Sequence, residues 1–328
     1  MNFNFLHLII SVFLVFPVSS EEIFFNNHNI HGEDSTFKDF IKWQLSGNKP
    51  DRFSIEMSDE FNLLLKKPKT PYAVWVGHSN FLINNNDINI LTDPIFSKRA
   101  SPISFAGPKR LIPPGINFNL LPDIDVVTVS HAHYDHMDIP TLKRLYEINE
   151  NTLFLVPMNS AKLLLSAGIK NVVEMNWWDT ISLSDTLITF VPVHHWSSRT
   201  PFDKNETLWG GWWFEHSSLK LVHLGDTGYT YDFLTINKEL GSPDFAFIPI
   251  GAYEPRSIMK DSHLNPDEAI QTALDLNATH AIGMHWGTFM LTDEPVQEPP
   301  VLVKNRLKEL DLEGLFTIPI PGKIISLE

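Results

Sequence analysis

The order of short apolar runs after Tyr72 constrains the fold of this chain more than any other feature. Between residues 72 and 93, the runs YAVWVG, NFLIN and INILTD are separated by turns with Asn and Gly, which is typical of an antiparallel meander. From residue 124, strand-like and helix-like segments alternate, and later strands are joined by helices at 265–276 and 300–310. Two β-rich halves with helices outside predict an α/β fold, a four-layer αββα sandwich.

The first 70 residues differ in texture from this body. Residues 1–20 are apolar from Leu6 to Phe16, carry no Lys or Arg and end in small residues before Glu21. This predicts an export signal or an uncleaved N-terminal anchor, and therefore an exported protein that is periplasmic, secreted or membrane-associated. Residues 21–70 form a polar N-terminal extension with helix-like patches at 35–45 and 58–67, each opened by Ser, and residues 71–328 form the main domain.

Composition limits the partners and the chemistry. Lys and Arg total 25 against 39 Asp and Glu, which gives a formal net charge of −14 and disfavours nucleic acid as a partner. A polyanionic substrate must therefore be attracted locally. The chain has no cysteine, so any metal site must be built from His and carboxylate side chains.

Five ligand-type residues lie within eight positions of the stretch TVSHAHYDHMD, directly after an apolar strand. His131 and His133 are two residues apart and point the same way from an extended chain, while Asp135 and His136 lie on the turn into a helix. This arrangement predicts ligands for two adjacent metal ions. The alternative, a polar loop with solvated histidines, explains the density of ligand-type residues poorly.

One loop cannot complete two coordination shells, because zinc takes about four ligands. Further candidates end apolar strands: the pair His194 and His195 in VPVHHWSSR, Asp226 in LVHLGDTGY and His285 in AIGMHWGTF. Taken singly, each histidine could be structural and Asp226 could simply begin a turn. The histidine-rich loop favours the ligand interpretation because it requires such partners.

The motifs also resemble a known family. The stretch from His131 to His136 matches the HxHxDH signature of the metallo-β-lactamase superfamily. Longer matches resemble the family of N-acylphosphatidylethanolamine-hydrolysing phospholipase D, from about residue 70 to 310. They include VGHSNFLI, LTDPIFSKRASPISFAGPKR, HHWSSRT, LWGGWW, IPIGAYEPRSIMKDSHLNPDEA and MHWGTF.

The resemblance implies a sandwich of the metallo-β-lactamase type with a dinuclear zinc site, in which manganese or iron could replace zinc. Of the adjacent histidines, His195 is preferred because the family motif places the ligand directly before Trp196, and His194 is the alternative. The implied ligands are His131, His133 and His195 for one ion, Asp135, His136 and His285 for the other, and Asp226 as the bridge.

Other residues receive roles from the same resemblance. Asp135 and His263 are the catalytic candidates, and His263 precedes a helix that Asn265 can cap, so it could bind or protonate a phosphate oxygen. A plain loop histidine is the alternative for His263. The resemblance places Asp93 behind the ligand loop, where an ordinary turn aspartate is the alternative. His78 is interpreted as structural.

The predicted reaction is metal-dependent hydrolysis of a phosphodiester, with water activated between two zinc ions. The resemblance implies cleavage of N-acylphosphatidylethanolamine to N-acylethanolamine and phosphatidic acid. The alternatives are another phosphodiester, a lactone, or a metal-bearing binding protein without turnover, although all seven expected ligands are present.

A phospholipid substrate implies peripheral contact with a membrane. The candidate apolar surfaces are the stretch from Leu111 to Leu121, the pair Trp177 and Trp178, and the pair Trp212 and Trp213. The oligomeric state is left open, with a homodimer among the alternatives.

Overall fold

The structure, a computed structural model, describes residues 24–28, 54–64, 68–217 and 219–328. The predicted leader at 1–20 and the helix predicted at 35–45 lie outside the described residues. The second predicted helix of the extension is a single turn, α1 (Glu60–Leu63), with Asp59 rather than Ser58 at its N-cap. In the described part of the chain, no helix has the length and apolar character needed to cross a bilayer.

The first sheet contains the predicted meander followed by parallel strands that are joined through helices. Its strands are β1 (Tyr72–Gly77), β2 (Asn80–Asn84), β3 (Asn89–Thr92), β4 (Val126–Thr128), β5 (Leu153–Pro157), β6 (Val172–Met175) and β14 (Ile324–Ser326). They pair in the order β14-β1-β2-β3-β4-β5-β6, with β3 to β6 parallel. The helices on this half are α2 (Ile139–Ile148) and α3 (Ala161–Ser166).

The second sheet also has seven strands. They are β7 (Thr180–Leu183), β8 (Thr186–Val191), β9 (Gly211–His216), β10 (Leu219–His223), β11 (Phe245–Pro249), β12 (His280–Met284) and β13 (Phe316–Thr317). They pair in the order β13-β12-β11-β10-β9-β8-β7. The helices of this half are α4 (Asp232–Leu240), α5 (Arg256–Met259), α6 (Pro266–Asp275) and α7 (Glu298–Glu309).

Apolar residues on both faces of the strands produce the four layers. On β1, Trp75 packs into the core between the sheets, whereas Val74 and Val76 pack into a second core with Leu142 of α2. Helix α4 covers the other sheet through Phe233 and the residues around it. The predicted αββα sandwich is therefore confirmed.

Trp212 and Trp213 are not membrane contacts, contrary to the sequence-based expectation. Both lie on β9, where their side chains are 0% and 1% exposed, because both faces of this strand are covered. The stretch from Leu111 to Leu121, another candidate surface, runs as a loop with one 3-10 turn at Phe118–Leu120. Burial of the tryptophan pair therefore removes it from the candidate lipid-contact surfaces.

Strand direction brings the functional segments to one end of the sandwich. Strands β3 and β4 are parallel, and β10, β11 and β12 are parallel. Two successive antiparallel pairings make β1 parallel to β3, and the same relation makes β8 parallel to β10. The carboxyl ends of β1, β3 and β4 therefore lie at one end of the first sheet, those of β8, β10 and β12 lie at one end of the second, and the contact between His131 and His195 brings these two ends together.

Candidate metal centre

Every residue predicted to bind metal follows one of these strand ends. The loop from His131 to His136 follows β4, His195 follows β8, Asp226 follows β10 and His285 follows β12. The structure brings all seven predicted ligand residues into overlapping groups. Within each group, the ligand atoms lie within 4.8 Å of one another.

Three imidazoles form the first group. Nε2 of His131 lies 2.8 Å from Nδ1 of His133, and Nε2 of His195 lies 3.4 Å from that same Nδ1 atom. His194 belongs to none of the metal-capable groups found among the described residues; its backbone N–H donates to Thr227 Oγ1 at 3.0 Å. The geometry therefore favours His195 over His194 as the member of this group.

The second group contains the other predicted triad. Oδ2 of Asp135 lies 3.6 Å from Nε2 of His136 and 3.7 Å from Nε2 of His285. His78, which the sequence interpretation treated as structural, joins them, because its Nε2 atom lies 2.9 Å from Oδ2 of Asp135. His78 follows β1 at the same end of the sandwich, and that strand-end position was the available signal for it.

Asp226 lies between the two groups. Its Oδ2 atom is 3.1 Å from Nε2 of His136 and 3.9 Å from Nε2 of both His131 and His195. Its Oδ1 atom is 3.0 Å from Nε2 of His285. One carboxylate thus reaches both sets of imidazoles.

These atoms fit a metal site better than a hydrogen-bonded network. Nε2 of His136, Nε2 of His285 and Oδ1 of Asp226 are buried and have no hydrogen-bond partner among the described residues. Their separations of 3.0 and 3.1 Å are short enough for hydrogen bonds, yet these atoms form none of acceptable geometry within the described residues. Ligands of one tetrahedral zinc ion, with Zn–N about 2.0–2.1 Å, lie roughly 3.3 Å apart. Buried lone pairs that converge at such distances fit a bound cation.

The opposite nitrogen of several imidazoles is fixed by a partner outside the cluster. Nδ1–H of His195 donates to the carbonyl oxygen of Ser262 at 2.9 Å, and Nδ1–H of His136 donates to Asp93 Oδ2 at 2.7 Å. Nδ1–H of His131 donates to the hydroxyl oxygen of Ser130 at 2.9 Å. These bonds leave the Nε2 lone pairs directed at the cluster, as metal-ligating histidines require.

Asp93 connects two of these supports. Its carboxylate accepts the backbone N–H and the hydroxyl of Ser130, both at 2.7 Å, in addition to the His136 ring. The side chain is fully buried. The structure thus places Asp93 behind the ligand loop, which is the position that the sequence resemblance gave it.

The charges of the cluster are divided between neutral and ionised groups. Burial lowers the pKa of His131 and His195 well below the ordinary value and lowers that of His133 to about 4, so these imidazoles are neutral at pH 7. Burial also opposes ionisation of Asp226 and His285. The His136 and His285 rings nevertheless hold the pKa of Asp226 well below its usual range, and the Asp226 carboxylate helps raise the pKa of His285 to about 9.

Several residues at the site have positive φ angles, outside the commonly populated backbone conformations. His78, Asp93 and His285 have φ values of 60°, 38° and 62°, which cost about 1–3 kcal/mol each for residues other than glycine. Gly225, directly before Asp226, has φ 62°, and a Cβ atom there would lie 2.5 Å from Cβ of Ser130. Only glycine lets the Asp226 loop approach the histidine-rich loop this closely.

His263 approaches the cluster from the segment before α6. Its ring centroid lies 5.3 Å from that of His195 and 5.4 Å from that of His285, and it forms a metal-capable group with His195 and Asp226. Burial lowers its pKa to about 4. The predicted cap on α6 is present, because Asn265 Oδ1 accepts the backbone N–H of Glu268 at 2.8 Å within a capping box.

Fold and site together are those of a metal-dependent hydrolase of the metallo-β-lactamase type. A family model described as "Beta-lactamase superfamily domain" matches residues 88–286. The N-acyl-phosphatidylethanolamine-hydrolyzing phospholipase D 1 of Caenorhabditis elegans is 39% identical over 250 residues, 73% of this chain and 69% of the relative. The chain belongs to the beta-lactamase superfamily and, within it, to the family of N-acyl-phosphatidylethanolamine-hydrolysing phospholipase D.

Two further similarities, to a second relative and to a solved structure, have lower sequence identity. The mitochondrial N-acyl-phosphatidylethanolamine-hydrolyzing phospholipase D of Saccharomyces cerevisiae is 35% identical over 252 residues, which are 75% of this chain and 53% of that protein. The solved structure of an isothiocyanate hydrolase from Delia radicum gut bacteria superposes with a TM-score of 0.63 at 16% identity and covers 78% of this chain and 98% of that one. The second similarity concerns the fold alone.

Proposed function

We propose that this protein is a zinc-dependent phospholipase D that hydrolyses N-acylphosphatidylethanolamine to N-acylethanolamine and phosphatidic acid. The observation that supports it most is the position of Asp226, whose two oxygens reach both groups of imidazoles. A site that shares one carboxylate between two ion positions suits in-line displacement at phosphorus. The relatives named for this activity support the choice of lipid.

In this proposal, two ions are held by the seven residues that the sequence predicted. Bound zinc supplies Lewis-acid activation of water and stabilises charge on phosphoryl oxygens. The protein's own residues fix where this chemistry takes place, and Asp93 and Ser262 hold the imidazole rings in orientation. The residues that would hold these ions are His131, His133 and His195 for one, Asp135, His136 and His285 for the other, and Asp226, whose oxygens reach both groups.

His263 is the proposed contact to the substrate phosphate. It is neutral at pH 7 because burial lowers its pKa to about 4, and a neutral imidazole can donate one N–H to a phosphoryl oxygen. Its Nδ1 atom is buried and lacks a hydrogen-bond partner among the described residues, so its hydrogen bond would be made when substrate binds. Asp135, the other catalytic candidate, would act as a ligand of the ion that it shares with His136 and His285.

Access to a lipid substrate requires an apolar surface near the site. Phe105 and Phe202 are 80% and 89% exposed on two loops. The first loop is held to the site by Ser97, whose hydroxyl donates to Asp138 at 2.9 Å. The second is held by Arg199, which donates to the carbonyl oxygen of Ala132 at 2.7 Å. Phe105 and Phe202 are therefore the proposed peripheral contacts with the membrane.

The local charge on the Phe105 loop opposes the net charge of the protein. Lys98 and Lys109 are exposed on this loop, and Lys204 is exposed two residues after Phe202, next to Asp203. Cationic side chains beside exposed aromatic rings favour the surface of an anionic bilayer. This local patch can attract a phospholipid surface although the chain carries a net charge of −14.

The proposed activity is tested by product analysis on a panel of substrates. Zinc-loaded protein would be incubated with N-acylphosphatidylethanolamine, phosphatidylethanolamine, phosphatidylcholine, an aryl phosphodiester and a lactone in ¹⁸O water. The expected result is N-acylethanolamine together with phosphatidic acid that carries one ¹⁸O on phosphorus. Turnover of the lactone without any phosphodiester would contradict the proposed function.

A further inference from the structure

The short N-terminal segment at residues 24–28 lies against the loop that follows β8. The side-chain amide of Asn27 pairs with both backbone groups of His195. Nδ2–H donates to the carbonyl oxygen of His195 at 2.9 Å, and the N–H of His195 donates to Oδ1 of Asn27 at 3.1 Å. A single side chain thus supplies both hydrogen bonds that a neighbouring strand would supply.

A third contact fixes the orientation of the Asn27 side-chain amide. The indole N–H of Trp209 donates to Oδ1 of Asn27 at 3.0 Å, and an indole nitrogen can only donate. The oxygen of the amide must therefore face Trp209 and the N–H of His195, and the amide nitrogen must face the His195 carbonyl. Trp209 is fully buried, so this reference point is held by the core.

Strand pairing does not include His195 itself, although an isolated antiparallel bridge joins the preceding His194 to Gly228, so Asn27 supplies the backbone partners that His195 lacks. Strand β8 ends at Val191, four residues earlier, where it pairs with Gly211. The His195 ring is held on its far side by the Ser262 carbonyl oxygen, at 2.9 Å from Nδ1. Asn27 fixes the backbone and Ser262 fixes the ring, and together they determine where Nε2 points.

The segment is anchored on both sides of Asn27 by contacts that do not involve His195. The N–H of Phe25 donates to the carbonyl oxygen of Asn205 at 3.0 Å. On the other side, Nδ1 of His28 lies 2.9 Å from Oδ1 of Asp232, and the His28 ring packs edge-on against Trp177 with centroids 4.4 Å apart. Asn27 is therefore held in place independently of the residue it contacts.

We propose that Asn27 is a positioning residue for the metal centre, which fixes the backbone of His195 so that Nε2 of that histidine meets the ion shared with His131 and His133. The proposal rests on the ligand role of His195 in the proposed function. It assigns a task in metal binding to a residue that is 168 positions from His195 in sequence.

Metal affinity tests this proposal without any lipid substrate. Zinc would be titrated into metal-free Asn27→Ala, His28→Ala and His195→Ala in competition with a chromogenic chelator. Cobalt absorption spectra would report the coordination of each ion. His28→Ala is the matched control, because it removes an anchor of the same segment and leaves both His195 hydrogen bonds. Asn27→Asp keeps the shape and the Oδ1 acceptor but places an oxygen against the His195 carbonyl.

Asn27→Ala and Asn27→Asp should lower the affinity for one of the two ions by about 10- to 100-fold, as loss of a hydrogen-bond partner behind a metal ligand does. The cobalt spectrum of that site should change as well. His28→Ala should bind both ions like the wild type. Asn27 variants that bind both ions within twofold of the wild type, or an equal loss in His28→Ala, would overturn the proposal. If His195→Ala itself keeps both ions, the ligand assignment fails and the Asn27 proposal fails with it; failure of the Asn27 variants alone leaves the proposed function intact.

Discussion

Oδ2 of Asp226 lies 3.1 Å from Nε2 of His136, and yet this buried nitrogen has no hydrogen-bond partner in the described structure. Two groups that approach so closely without a directed N–H bond have the arrangement that ligands of a common cation would have. The hydrogen bond from the other ring nitrogen of His136 to Asp93 keeps the Nε2 lone pair in this direction. This relationship connects the fold to the proposed chemistry.

Replacing His263 by alanine should lower phosphodiesterase kcat by about 100-fold or more and leave zinc content unchanged. The side chain is proposed to contact phosphate rather than metal, and groups that bind or transfer protons typically contribute 10²–10⁴-fold. Metal analysis and steady-state kinetics on the same preparation check this. His263 lies within ligand distance of His195 and Asp226, so loss of an ion in His263→Ala would move it into the ligand set.

The metal-free protein should lose stability as the pH falls from 6.5 towards 4. Burial lowers the pKa of His133 and His263 to about 4, so in this window the unfolded chain binds protons that the folded chain does not. His285 acts in another window: its pKa is raised to about 9, so its stabilising contribution is complete below 6.5 and is lost as the pH rises through 9.

Urea unfolding in the presence of a chelator at pH 5, 6.5 and 9 measures both effects. The free energy of unfolding should be highest near pH 6.5 and lower by about 3 kcal/mol at pH 5, since each of the two groups loses about 1.4 kcal/mol per pH unit over most of this interval. His263→Ala serves as the control and should reduce the difference between pH 6.5 and pH 5. Equal stability at these two values would contradict the assigned pKa directions.

Membrane contact through the two exposed phenylalanines can be tested with vesicles. Phe105→Asp and Phe202→Asp should each reduce binding to vesicles rich in phosphatidylglycerol by about tenfold, because burial of a phenylalanine side chain contributes about 1.5–3 kcal/mol. Ile148→Asp is the matched control: this residue is 65% exposed at the far end of α2, which runs away from the site. A similar loss in all three variants would contradict a membrane contact at the site.

Sequence and fold together explain why the clustering of these side chains was predictable. His131, His195, Asp226 and His285 all follow apolar strands, and parallel strands bring such positions to one end of a sheet. The His78 contact to Asp135 and the Asn27 contact to His195 were not predicted, because each joins residues far apart in sequence through geometry that only packing determines.

Local patterns were also insufficient for some elements of the second sheet. Strand β7 is an edge strand whose side chains alternate between exposed and half-buried, so its apolar signal is weak. Helix α4 directs only Asp232, Phe233 and Ile236 into the interior, so its apolar pattern in the sequence is also weak. Burial of adjacent tryptophans on β9 follows from coverage of both faces of the sheet, which a single strand does not reveal.

The leader prediction has a consequence for the N-terminal segment. We propose export with cleavage after Ser20, because small residues follow the apolar run there. The mature chain would begin near Glu21 and would retain Asn27. N-terminal sequencing of protein from the native host checks this, and recovery of Met1 on soluble cytoplasmic protein would end the export proposal.

The central claim is that Asp226 joins two ions into one hydrolytic centre. It is tested most directly by adding zinc stepwise to metal-free wild type, Asp226→Ala and His195→Ala while bound metal and phosphodiester hydrolysis are followed together. The wild type should become active with the second equivalent and reach its maximum at two ions per chain. Asp226→Ala should bind the second ion poorly and lose more activity than His195→Ala, because a carboxylate can span two cations and offset their repulsion while a neutral imidazole cannot. An Asp226→Ala protein that binds two ions and turns over at nearly the wild-type rate would contradict both the bridging role and the proposed mechanism.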